Sequence, residues 1–292
     1  MSRWDSSDLP DQSGRTFIVT GANSGVGAAT VRALAAAGAQ VVLACRTVAK
    51  GEQLATEIGE RARVRKLDLA DLSSVREFAE GTDGADVLIN NAGVMAVPAA
   101  RTADGFEMQI GTNHLGHFAL TGLLLDKISE RIVTVSSIAH QVGTIDLDDL
   151  NWERRRYQRW TAYAQAKLAN LMFARALQRK LTAGVTAKIS VAVHPGYAAT
   201  GLQSHTESIQ DTLMALGNRL LAQNAEMGAL PSLYAATADV QPGGYYGPTG
   251  WGGIRGYPGP SDSSKASRDE KVADELWELS EKLTGVTYDF VG

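Results

Sequence analysis

The chain has 292 residues, 44% of them hydrophobic, enough for one large α/β domain or two small ones with a substantial core. Its 28 basic residues are set against 32 acidic ones, a net charge of −4, which argues against nucleic acid or an anionic membrane as partner. The single cysteine, Cys45, excludes an intrachain disulfide and fits a reducing compartment. Residues 1–14, MSRWDSSDLPDQSG, lack the basic and apolar regions of a signal peptide. No run approaches the roughly 18 to 20 apolar residues that span a bilayer. The expectation is a soluble cytoplasmic protein, without membrane insertion and without a nucleic-acid partner.

In chain order, short apolar runs alternate with helical stretches. RTFIVT (15–20) predicts a strand, followed by a glycine-rich turn and an alanine-rich helix ending at Gly38. QVVLAC (40–45) predicts a second strand, then come a helix-compatible 47–60 and a strand at RVRKLDL (63–69). Ser74 and Glu77 have the spacing of a capping box and predict the next helix start. ADVLIN (85–90) reads as a buried strand, 105–129 as a long helix and RIVTVSS (131–137) as a strand. A second long helix holds Tyr163 and runs to about residue 181, before a strand at KISVAVHP (188–195). Strands apolar on both faces, alternating with helices, imply a Rossmann-type doubly wound α/β fold: a parallel sheet with helices on both faces.

Beyond residue 195 the pattern changes. Ile209, Leu213, Leu216 and Leu220 recur at helical spacing, so 204–222 predicts an amphipathic helix within a helical excursion, 197–225, on the substrate side. Residues 242–260 are rich in glycine and proline and predict a long ordered loop, or a short strand with a loop. Their aromatics Tyr245, Tyr246, Trp251 and Tyr257 either line an apolar pocket or pack in the core. A C-terminal helix over 269–283 places Val272, Leu276, Leu279 and Leu283 on one face. With no internal repeat beyond the βα alternation, 1–292 reads as one nucleotide-binding domain in which 242–292 forms the C-terminal loop and helix.

The turn T-G-A-N-S-G-V-G (20–27) falls between the first strand and first helix. Gly21, Gly25 and Gly27 let backbone N–H groups approach an anion, and Asn23, Ser24 and Val26 complete a cradle at a helix N-terminus, where a dinucleotide pyrophosphate fits. The spacing is G-x-x-x-G-x-G rather than the standard G-x-G-x-x-G, and Asn23 excludes a serine-nucleophile elbow. An acid would be expected at the end of the second strand for NAD, but the sequence reads Ala44-Cys45-Arg46. Arg46 suits a 2′-phosphate, so NADP is expected over NAD. Tyr163 and Lys167, in Y-A-Q-A-K, lie at i and i+4 and share a helix face. From the pattern alone they are either a solvated pair or a proton-transfer device.

Taken together, these residues resemble the short-chain dehydrogenases/reductases over essentially the full chain. The ordered set comprises the TGxxxGxG turn, Asp68 in L-D-L, Asn90-Asn91-Ala92-Gly93, Asn113 in T-N-H-L-G-H-F, Ser136-Ser137, the YxxxK pair and His194-Pro195-Gly196 with Thr200. N-N-A-G-V-M, N-H-L-G-H-F and K-L-A-N are similar to the branch that holds retinol dehydrogenases, WW-domain oxidoreductases and light-dependent protochlorophyllide reductases. The resemblance implies Tyr163 as general acid/base, Lys167 lowering its pKa and holding the ribose, Ser137 binding the substrate oxygen and Asn113 supporting a water-linked proton relay. It further implies that Asp68 and Leu69 sit by the adenine, Asn91, Ala92 and Gly93 near the ribose, and Pro195, Gly196 and Thr200 near the nicotinamide or pyrophosphate.

The expected activity is hydride transfer between NADP and the carbonyl or alcohol of a lipophilic small molecule. An enone C=C reductase is the chemical variant and an NADP-bound scaffold without turnover the alternative. A homo-oligomer is left open. No metal is expected. His114 and His117, spaced i, i+3, lack a third ligand at suitable spacing, and packing is the expected role. His140 either touches substrate or bonds to backbone, and His194 is expected to be structural. Arg154, Arg155, Arg156 and Arg159, and likewise Glu57 and Glu60, read as solvated faces. The segment that holds Trp152 and the arginines is expected to border the site.

Overall fold

The computed structural model describes residues 3–196 and 224–290. Thr16–Thr20 (β1), Gln40–Cys45 (β2), Ala62–Lys66 (β3), Ala85–Asn90 (β4), Ile128–Val135 (β5), Ile189–Val193 (β6), Tyr245–Gly250 (β7) and Arg255–Pro260 (β8) form one sheet. Its order is β3-β2-β1-β4-β5-β6-β7-β8, parallel up to the last pair, where β8 runs antiparallel to β7. Chain direction across the sheet reverses between β1 and β4, the crevice where this architecture binds ligands beyond the strand ends.

Side chains alternate along each strand, and this sorts the core onto two faces. Phe17, Val19, Val41, Leu43, Ile89, Val133 and Val193 point to one face, under Gly25–Ala36 (α1) and Ala225–Thr237. Ile18, Leu88 and Ile132 point to the other, covered by Leu72–Glu80 (α3), Gly116–Leu124 (α5), Arg159–Ala183 (α6) and the C-terminal helix Glu270–Thr284. On that last helix Leu276 is buried, and Val272, Leu279 and Leu283 pack against the same core, as their spacing predicts. The remaining helices are Val48–Ile58 (α2) and the single turn Met108–Ile110 (α4), which makes Ala225–Thr237 α7 and Glu270–Thr284 α8.

Three elements differ from the sequence reading. The expected capping box at Ser74 is displaced: α3 starts earlier, capped by Asp71, whose carboxylate accepts from Ser73 N at 2.9 Å and Ser74 N at 3.4 Å. The Ser74 hydroxyl instead accepts from Asp68 N at 3.0 Å. Residues 105–129 are not one helix. Glu107 caps the start, accepting from Gln109 N and Ile110 N at 2.8 Å each, and Gly111–Leu115 is a π turn. The 3₁₀ turn Leu125–Lys127 then ends the run, so that β5 begins at Ile128. Finally, 242–260, expected as a loop or a short strand with a loop, is a two-stranded hairpin, closed by Gly252 and Gly253 at φ +65° and +79°, with the Pro258 and Pro260 nitrogens turned away from β7 so that no ladder donor is missed. The expected helix 204–222 and Thr200 lie outside the described residues. No helix among the described residues is long and apolar enough to cross a membrane.

Candidate active site

At the end of β1 the chain turns through Gly21, φ +65°, and Gly25, φ +52°, conformations that favour glycine. Gly27 is needed for close packing: a Cβ there would lie 2.4 Å from Gly21 O and 2.6 Å from Asn91 Nδ2. Ser24, the N-cap of α1, makes no side-chain capping bond, so the first-turn N–H groups are left to another acceptor. That donor set, half-exposed at a helix N-terminus, fits a dinucleotide pyrophosphate. Asn23, Ser24, Gly25 and Val26 line this opening as expected, with Val26 the most buried of them.

Thr20 ties the turn to the rest of the site. Its hydroxyl accepts from Asn91 N and Ala92 N, both at 2.9 Å, and Asn91 Nδ2 donates to Thr20 O at 2.8 Å. His117 Nδ1 lies 3.0 Å from the Asn113 carbonyl, which can only accept, and His117 Nε2 lies 2.9 Å from Thr20 Oγ1. The ring is therefore the Nδ1–H tautomer, taking the Thr20 proton on Nε2. Burial lowers its pKa to about 4, which keeps it neutral. His117 thus joins the glycine turn to the helix that carries Asn113. Its spacing had pointed only to packing. His114 bonds to Ser280 Oγ at 3.0 Å, and no metal-binding group occurs among the described residues.

Beyond β2, Arg46 is exposed and makes no salt bridge among the described residues. Asp68 Oδ1 accepts from Ala70 N at 3.0 Å, shaping the turn after β3. Leu69 is buried, and its carbonyl would lie 2.4 Å from a Cβ on Gly116.

Asn113, Ser137, Tyr163 and Lys167 converge beyond β4 and β5. Asn113, fully buried in the π turn, accepts from Val94 N through Oδ1 at 2.8 Å and donates to Val94 O through Nδ2 at 2.9 Å. A Cβ on Gly93 would meet Asn113 Oδ1 at 3.0 Å and Lys167 Nζ at 3.4 Å, which places the three residues together. Ser137 caps a 3₁₀ turn, Ile138–Val142, accepting from Ala139 N at 3.2 Å. Its hydroxyl acts on the Tyr163 phenol and lowers its pKa, whereas Ser136 points away and donates to Lys167 O at 2.7 Å. Consecutive strand residues face opposite ways, and Ser137 is the one that meets the tyrosine.

The electrostatics depart from expectation. Burial raises the Tyr163 pKa and the Ser137 hydrogen bond opposes it, with no effect resolved from Lys167. The geometry explains this: Lys167 Nζ lies 5.8 Å from the Tyr163 ring centroid and donates to Val135 O at 3.1 Å. Burial lowers Lys167 itself to about 8. At the next strand end, Pro195 and Gly196 follow His194, with Gly196 at φ +68° and its N–H 3.3 Å from His194 Nδ1.

One arginine departs from the expected solvated face, and two tyrosines take the core-packing alternative. Arg155 is no solvated residue: it donates to Gln165 Oε1 at 2.6 Å and lies 3.8 Å above the Trp152 ring. Tyr245 and Tyr246 are 5% exposed and pack in the core. A cavity of about 860 Å³ lies near Thr16, Gln40, Arg63 and Asp83, at the amino-terminal ends of β1–β3. It is at the far end of the sheet from Tyr163 and has no part in the site.

Residues 15–211 match the family model described as short chain dehydrogenase. Human retinol dehydrogenase 13 is 44% identical over 94% of this chain and 85% of its own length, and human retinol dehydrogenase 12 is 42% identical over 94% and 88%. A crystal structure titled as a putative uncharacterized protein from Mycobacterium Paratuberculosis is similar at TM-score 0.87 and 50% identity, covering 99% of this chain and 100% of that one. The chain belongs to the short-chain dehydrogenase/reductase family and is an NAD(P)-dependent oxidoreductase.

Proposed function

We propose that the protein is an NADP-dependent oxidoreductase that interconverts the carbonyl and alcohol of a lipophilic small molecule. The observation that carries this reading is the convergence of Tyr163, whose phenol the Ser137 hydroxyl acts on, with Lys167 and Asn113 at the ends of β4 and β5. Two hydroxyl donors on one point suit an oxygen that gains charge as a carbonyl becomes an alkoxide. Ser137 binds that oxygen and Tyr163 delivers its proton. The bound nicotinamide supplies or accepts the hydride. Lys167 holds the ribose and favours the phenolate once it is drawn towards Tyr163, and Asn113, clamped to Val94, holds the wall of the site and supports a water relay. Gly21, Asn23, Ser24, Gly25, Val26 and Gly27 hold the pyrophosphate, and Asp68 and Leu69 the adenine. Asn91, Ala92 and Gly93 line the ribose, and Pro195, Gly196 and, by the family resemblance, Thr200 contact the nicotinamide or pyrophosphate.

Arg46, exposed and without a carboxylate partner among the described residues, supports NADP over NAD through charge-assisted bonds to a 2′-phosphate. The relatives named retinol dehydrogenases support a lipophilic alcohol or aldehyde. The single buried cysteine fits a cytoplasmic location, checked by fractionating cells that express the native chain.

A panel of apolar aldehydes, ketones and enones, offered with NADPH or NADH, tests this reading. Carbonyl-dependent oxidation of NADPH, faster than of NADH, is the expected result. Reduction of the enone C=C alone points to the variant chemistry. Tight NADPH binding with no conversion points to a nucleotide-bound scaffold.

A further inference from the structure

His140 follows the serine turn and is 1% exposed. Its Nδ1 lies 2.7 Å from Ser137 O, a carbonyl that also accepts from His140 N at 3.1 Å. Its other nitrogen, Nε2, lies 3.2 Å from Ser264 N. A backbone N–H can only donate, so Nε2 carries a lone pair and the ring proton is on Nδ1, aimed at Ser137. Ser264 belongs to a segment, 261–267, fastened to the elements that carry the site. Arg175 on α6 donates to Ser267 O at 2.9 Å and Ser263 Oγ at 3.0 Å, and Ser261 Oγ lies 2.9 Å from His194 Nε2 beyond β6.

We propose that His140 is a positioning residue that locks the Ser137 turn to the 261–267 segment, and that protonating His140 breaks the lock and moves Ser137 away from Tyr163. This rests on the reading of Ser137 and Tyr163 given above. An imidazolium presents N–H on both nitrogens, so its Nε2–H would face the Ser264 N–H and one of the two must move. The groups that face the ring make the cation unwelcome. Arg175 repels it, His194 packs nearby through Tyr245, and the Tyr245 ring stands edge-on to the imidazole with centroids 5.3 Å apart. Burial is the largest of these effects and, with Arg175, lowers the His140 pKa below its usual 6.5. The lock is therefore closed at neutral pH and opens only in acid.

The tests separate this claim from the reading beneath it. Imidazole ¹⁵N spectra of the whole protein, with the His140 signal assigned by loss in His140→Gln, need no substrate. The expected result is the neutral Nδ1–H tautomer at pH 7; an Nε2–H tautomer or a cation overturns the lock, whether or not the enzyme turns over. In kinetics, His140→Gln should lower kcat about tenfold, as for one lost hydrogen bond, while KM for NADPH changes less than about twofold. The acid limb of kcat should disappear in that variant. An acid limb unchanged in His140→Gln overturns the positioning role. His140→Asn, which can still donate towards Ser137 O, should recover part of kcat; no recovery beside His140→Ala also counts against it. Should wild type convert nothing while the tautomer is Nδ1–H, the functional reading fails and the positioning role falls with it, although the geometric lock stands.

Discussion

The Lys167 ammonium is 4% exposed, and Val135 O is its hydrogen-bond acceptor among the described residues. Burial lowers its pKa from the usual 10.5 to about 8. Below about pH 8 both folded and unfolded chains carry the charge, and the folded state bears the full desolvation cost. Between pH 8 and 10.5 the folded protein sheds the proton while the unfolded chain keeps it, so stability rises with pH there. A shift of that size corresponds to roughly 3 kcal/mol. Lys167→Met should therefore raise stability at pH 7 by roughly 2–3 kcal/mol while abolishing turnover, read by urea unfolding and carbonyl-dependent NADPH oxidation. A less stable Lys167→Met protein would mean that the ammonium contributes to the fold. Arg46 makes a separate prediction: Arg46→Asp should weaken NADPH binding far more than NADH binding, read by titrating each nucleotide. Equal losses would sink the 2′-phosphate assignment. At this scale the sequence was informative where chemistry demands a residue type, as at Tyr163, Lys167 and the paired serines. It was silent on tautomers and on directions of hydrogen bonds, because these depend on partners far along the chain: Thr20 for His117, Ser264 for His140.

Elements position the site through close backbone approaches. Gly116 starts α5, and a Cβ there would lie 2.4 Å from Leu69 O and 3.0 Å from Leu69 Cβ. Backbone cannot swing aside as a flexible side chain can, so Gly116→Ala should cost about 1–3 kcal/mol and displace the turn after β3. NADPH affinity should fall with stability, as measured by unfolding and binding on the same preparation. Full stability with unchanged affinity would show that α5 can simply retreat. The interval 105–129 illustrates what periodicity misses. Its apolar spacing runs on through a π turn, an α-helix, a 3₁₀ turn and the start of β5. A carboxylate at Glu107 sets the beginning and sheet pairing at Ile128 sets the end, and both are tertiary facts. Likewise Asp71 caps α3 although Ser74 and Glu77 carry the more familiar signal.

For the whole molecule, the alternation of buried strands and helices sufficed to give the doubly wound sheet, and residues picked out by the ordered motifs converge at one end of it. The antiparallel β7–β8 hairpin was less legible, since its sequence is glycine and proline, and its pairing is fixed by packing beside β6. The buried histidines carry a molecule-wide consequence. His114 is lowered to about 3, and His117 and His194 to about 4, each chiefly by burial. They are neutral in the native state and protonate near 6.5 when unfolded, so stability is unaffected above that pH and is lost as pH falls below it. Three protons taken up by the unfolded chain alone give a slope near pH 5 of about 4 kcal/mol per pH unit. Urea unfolding between pH 7 and 5 measures it. A flat profile would mean that these rings charge readily in the folded protein.

The most direct test of the chemistry is Tyr163→Phe, which removes the phenolic oxygen beside Ser137 and leaves the ring packing. Turnover of an apolar aldehyde with NADPH should fall by about a thousandfold or more, while NADPH affinity stays within a few-fold of wild type. Turnover preserved in Tyr163→Phe would contradict the assignment of Tyr163 as the proton donor.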